Sequence, residues 1–103
     1  MLEQKKVIAK IFDLESDEFL SDIPITIKLI TPLNEDEKPS YDVSGRFETM
    51  KLEFNDKTFL LELNSSLRGP AFFSIDSVAG MFTVYKITLE DTMWWNTDWF
   101  YDL

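Results

Sequence analysis

The sequence predicts an all-β domain: an antiparallel sandwich or small barrel of about six to seven strands, with room for one short helix. Three observations support this. Several short stretches alternate apolar and polar side chains with period two, as half-buried strands do. Turn-forming residues punctuate the chain at Asn55-Asp56-Lys57, Gly69-Pro70 and Gly80. The strand–helix alternation that a parallel sheet needs is missing.

Taken in order, the first stretch is open to two readings. Val7, Ile8, Ile11 and Phe12 fit a helix face with Lys6, Lys10 and Asp13 opposite; they fit equally a strand buried on both faces. The Val-Ile and Ile-Phe pairs favour the strand. Asp17-Glu18-Phe19-Leu20 reads as a short helical turn. Ile25 to Thr31, between Pro24 and Pro32, is rich in β-branched residues and sets Thr26 and Lys28 on one face. Residues 32–42 (PLNEDEKPSYD) read as an acidic, proline-bounded loop. Thr49 to Phe54 alternates, with Met50, Leu52 and Phe54 on one side. Thr58 to Leu63 follows, with Phe59, Leu61 and Leu63 on one side. The turn signal between them predicts a hairpin over 49–63. Ala71 to Ile75 is a further strand. Met81 to Leu89 is the last, with Thr83, Tyr85 and Ile87 on the face opposite Phe82, Val84 and Lys86.

At 103 residues the chain is one domain, 1–103. An aromatic share of 15%, including nine phenylalanines, predicts a well-filled core. The net charge of -9 argues against direct binding to nucleic acid, which needs a basic footprint. It argues equally against an anionic membrane surface. A basic protein partner, cations or plain solubility suit it better. Without cysteine, neither a disulfide framework nor a thiolate site can form, which leans towards the cytoplasm. MLEQKKVIAKIFDLES has no apolar h-region or cleavage site, so no signal peptide is expected there. No apolar run reaches membrane-span length.

Histidine is missing too, which removes His-dependent triads, imidazole bases and nitrogen–sulfur zinc sites. Glycine occurs only at 45, 69 and 80, too sparsely for a dinucleotide fingerprint or phosphate loop. Carboxylate pairs remain, but among 19 acids they arise by chance. Asp13-x-Glu15-x-Asp17 has calcium-loop spacing. Glu18 replaces the required glycine and Pro24 the bidentate glutamate, so it reads as a solvated turn. The expectation is a non-enzyme without metal or cofactor.

The segment Met93–Leu103 (MWWNTDWFYDL) is the best functional lead. It holds all three tryptophans beside Phe100 and Tyr101, with Asp98 and Asp102 interleaved and Asp91 just before it. It is too apolar to be left in water. It can be core, with a last strand crossing the sheet; a protein-binding hot spot; or a stacking platform for a sugar, with Asn96 and Asp98 as polar handles. In an extended segment adjacent residues face opposite sides, which predicts a mixture: Trp95 or Trp99 structural and a neighbour exposed. Trp94, Trp95, Trp99, Tyr101, Asp98 and Asp91 are therefore the candidate partner-binding residues. The functional expectation is a small acidic protein that binds a partner with a basic or aromatic-accepting surface, in an inhibitor- or immunity-type role. The alternatives are a small-molecule or carbohydrate-binding module and a homo-oligomer subunit that buries the aromatic tail.

Overall fold

The computed structural model describes Leu2–Leu103. Six strands, β1 (Leu2–Phe12), β2 (Phe19–Ile30), β3 (Ser40–Phe47), β4 (Lys57–Asn64), β5 (Leu67–Ala79) and β6 (Phe82–Thr88), precede a 3-10 turn (Thr92–Trp94) and a one-turn helix α1 (Asp98–Tyr101). The strands close into a barrel in the order β1-β2-β3-β6-β5-β4, with every neighbouring pair antiparallel. The fold is all-β, as the alternation predicted, and the barrel form is the one adopted.

The first segment is a strand, buried on one face only. Ala9 and Ile11 point inward, whereas Ile8 is 66% exposed. A single barrel has no second layer to cover its outer wall, so the expectation of burial on both faces is corrected. β1 pairs with β2 from Leu2↔Ile30 to Phe12↔Phe19. The chain reverses between them without a helical turn at 17–20. The Asp13 carboxylate accepts the backbone N–H groups of Glu15 and Ser16 and the Ser16 hydroxyl, a local turn that leaves Phe19 and Leu20 to open β2. Pro24 lies within β2, opposite Ile8, just outside the ladder to β3 that starts at Ile25↔Gly45. The end of a ladder is where a missing donor is tolerated.

Two further expectations are overturned together. Ser40, Tyr41 and Asp42 belong to β3 and not to the acidic loop, which spans 31–39. Residues 49–54 do not form a strand, and β4 pairs with β5 and β1 instead. Residues 48–56 cross one end of the barrel as a loop whose backbone groups are satisfied by side chains. Lys51 N–H donates to the Thr83 hydroxyl at 3.0 Å, and that hydroxyl donates to the Thr49 carbonyl at 3.0 Å. Tyr85 OH donates to the Lys51 carbonyl at 2.5 Å, and Asn55 accepts the Ile75 N–H at 2.8 Å. Met50 and Leu52 are therefore exposed, and Phe54 alone enters the barrel. Its ring lies 5.6 Å from Phe47, 5.1 Å from Phe59 and 6.2 Å from Phe73 and Tyr85, closing this end with aromatic surface. The Asn55-Asp56 turn is present, with Asp56 at positive φ before β4 starts.

Phe59, Leu61 and Leu63 on β4 and Thr83, Tyr85 and Ile87 on β6 face inward, as their alternation predicts. Gly80, at φ +62, makes the turn between β5 and β6. Gly69-Pro70 lies inside β5, which extends at both ends beyond the predicted 71–75. Thr83→Val keeps the side-chain volume but leaves Lys51 N–H and Thr49 C=O without partners. It is expected to cost about 1–3 kcal/mol in chemical denaturation.

The candidate functional site

The other end of the barrel, where β1 begins and β6 ends, is closed by the C-terminal segment. That segment is not the crossing strand expected from the sequence. It folds as the 3-10 turn followed by α1. The Asp91 carboxylate caps the 3-10 turn by accepting Met93 N–H at 3.0 Å. Asn96 accepts Asp98 N–H at 2.9 Å and sets Asp98 in the first turn of α1.

Trp94 is fully buried. Its indole N–H donates to the Pro70 carbonyl at 2.9 Å, in the part of β5 that lies beyond the ladder with β6. Gly69 makes room for it: a Cβ there would overlap Met93 and come within 2.8 Å of the Trp94 ring. Trp99, 9% exposed, packs edge-on against Trp94 at 5.3 Å and at a tilt against Tyr41 at 4.9 Å, and donates to the Trp94 carbonyl at 3.2 Å. Phe100 is buried behind them. The inward positions of β1 here are Glu3 and Lys5, where an apolar pair would continue the alternation. The Lys5 ammonium donates to the carbonyl of Tyr101, the last residue of α1, at 3.2 Å and to that of Leu103 beyond it at 3.1 Å.

Two aromatics stay outside. Trp95 is 47% exposed and Tyr101 is 54% exposed. Trp94 and Trp95 part company because a 3-10 turn rotates successive residues by about a third of a circle. The predicted mixture is present, but helical rotation produces it, not strand alternation, and the buried pair is Trp94 and Trp99. The acidic loop 31–39 folds alongside. The Lys38 ammonium sits 3.4 Å above the Trp95 ring. Leu33 is wholly exposed, and a groove of about 360 Å³ runs between this loop and Thr97 and Tyr101. Glu35, Asp36 and Glu37 on the loop join Asp91, Asp98 and Asp102 on the tail to make this end strongly acidic. Of the six candidate residues, Trp94 and Trp99 are core, Trp95 and Tyr101 are surface, Asp91 caps the 3-10 turn and Asp98 stands in the first turn of α1, its N–H held by Asn96. Lys5, Lys38 and Tyr41 belong to the cap as well. Nothing in their local sequence marks them, since each meets the tail only through the closed barrel.

Burial pushes the Tyr41 hydroxyl up to about 12, and that hydroxyl and Glu3 Oε2 have no hydrogen-bond partner among the described residues. The adjacent Glu3 carboxylate, together with lost hydration, raises Tyr101, and burial raises Tyr85. A tyrosine with a raised folded-state pKa resists ionisation while the unfolded chain ionises freely. Stability is then intact below pH 10.0 and falls as the pH climbs through about 12. An alkaline titration of tryptophan fluorescence should show the cap loosening in that window, with a shallower fall in Tyr41→Phe.

No family of known proteins, curated protein or solved structure matches this chain. Among the described residues no helix is long and apolar enough to cross a membrane.

Proposed function

We propose that this is a small, non-catalytic, cytoplasmic binding protein whose acidic cap engages a protein partner with a basic surface. An inhibitor- or immunity-type role is the sharpest form of that reading. One observation carries it: Trp95 and Tyr101 are held on the surface by a buried Trp94–Trp99–Phe100 base, inside a rim of carboxylates. Exposed aromatics on a rigid base bind without a large ordering cost, and surrounding charge speeds encounter. The homo-oligomer reading is weaker, because most of the aromatic tail is already buried within its own chain and the acidic rims of two copies repel. The carbohydrate reading is weaker too, because Lys38 occupies one face of Trp95.

The test uses the wild-type chain to isolate a partner and then compares variants against it. Trp95→Ala should leave the melting transition within about 0.5 kcal/mol of wild type, as exposed substitutions do. The same change should weaken the partner by about 2 kcal/mol or more. Asp98→Lys should slow association and flatten its salt dependence. A partner that binds Trp95→Ala as tightly as wild type would exclude the cap as the interface.

A further inference from the structure

Although the chain is acidic overall, its bases are not evenly spread. Lys6, Lys10, Lys28, Arg46 and Lys86, five of the ten, project from the outer faces of β1, β2, β3 and β6. The register puts Lys6 beside Thr26, Thr26 beside Ser44 and Ser44 beside Lys86, one continuous row across four strands. The next row places Ile8 beside Pro24 and Arg46 beside Val84. The short Thr26 and Ser44 side chains in the middle of the first row, with longer ones around them, leave a groove of about 610 Å³. Thr26 and Ser44 form its floor, with Lys6 and Ile8 on one wall and Arg46, Glu48 and Val84 on the other; Lys86 stands beside Ser44, just outside the lining. Arg46 is partly neutralised by Glu48 at 3.3 Å, whereas Lys6 and Lys86 have no ion pair among the described residues.

We propose that this groove binds a small amphipathic anion. A single carboxylate or phosphate head would lie over the Thr26 and Ser44 hydroxyls, flanked by Lys6 and Lys86, and a flat apolar body would lie against Ile8 and Val84. Charge complementarity selects the head, because both hydroxyls can donate and the two lysines are uncompensated. The volume falls in the range of small-molecule sites, roughly 300–1,000 Å³. The rest of the molecule limits the ligand to one compact charge: at -9 overall, the surface beyond the groove repels a polyanion such as nucleic acid or an acidic protein. The site lies on the barrel wall, apart from the cap, and does not depend on the cap's role.

The experiment is a heteronuclear NMR titration of the labelled protein with 1-naphthyl phosphate. Inorganic phosphate and 1-naphthylmethylamine are titrated in parallel. The expected result is saturable shifts at Lys6, Thr26, Ser44, Gly45, Arg46 and Lys86, with inorganic phosphate much weaker and the amine silent. Lys6→Gln/Lys86→Gln, folded by its dispersed spectrum, should bind naphthyl phosphate about tenfold or more weakly, since two charge-assisted contacts are lost. Thr26→Val should weaken it severalfold. The proposal is overturned by no shifts at millimolar probe, by shifts centred on the cap, by equal binding of the amine, or by unaltered affinity in the double variant. Binding of an acidic peptide in place of the naphthyl phosphate would overturn it equally.

Discussion

Leu61→Asp should leave the domain unfolded. Leu61 is fully buried on β4, between Ile11 of β1 and Gly69 of β5. A carboxylate there has no partner within the barrel, and an unpaired buried charge costs several kcal/mol. The whole stability of a domain this size is on the order of 5–15 kcal/mol. The position is also sensitive topologically. The seam that closes the barrel consists of Lys10↔Glu62, Ile11↔Leu61 and Phe12↔Leu60, so repelling Leu61 from Ile11 opens it. Leu60→Asp is the control, since Leu60 points to the opposite face and its carboxylate can reach water. Far-ultraviolet circular dichroism and thermal melting distinguish the two. A Leu61→Asp protein that melts like wild type would show that the seam is misregistered.

Trp94→Ala should give the second largest loss. Removing a fully buried large aromatic costs about 3–5 kcal/mol, and the Pro70 carbonyl loses its donor as well. In a domain of this length each kcal/mol lowers the melting temperature by about 4–8 °C, so the loss should exceed ten degrees. Trp99→Ala should follow closely, because it removes the edge-on contact to Trp94 and the packing against Tyr41. Trp95→Ala should be nearly silent in stability. If the three variants lose stability and partner affinity in parallel, the division of the cluster into a buried base and an exposed contact fails, and with it the binding role of the cap.

The strands that were legible are those whose side chains alternate strongly: 25–31, 58–63 and 81–89. Period-two alternation has only one way to bury an apolar face. β3 was hidden because its inward positions include Gly45 and its outward ones are Ser40, Asp42, Ser44 and Arg46, a composition shared with loops. Gly45 is needed there because a Cβ would collide with the Ile23 side chain on neighbouring β2, a contact set by strand pairing and not by local sequence. Residues 49–54 misled for the converse reason. Their alternation is real, but Thr83 and Tyr85 of β6, more than thirty residues on in the chain, satisfy their backbone, and only Phe54 finds room inside. The helical cap was illegible for a related reason: its turns are held by Asp91, Asn96 and Lys5, two of them local and one at the other end of the chain.

By itself the sequence determined the all-β class, the inward faces of β4 and β6, the chemistry excluded for want of histidine and cysteine, and the concentration of aromatics in 93–103. These follow from residue types and nearest-neighbour periodicity, which any fold must respect. Tertiary structure decided that the sheet closes into a barrel, which tryptophans are core and which face solvent, and that five bases of an acidic chain share one wall. Those outcomes depend on contacts between residues far apart in the chain, and local side-chain patterns do not encode which distant strand lies alongside.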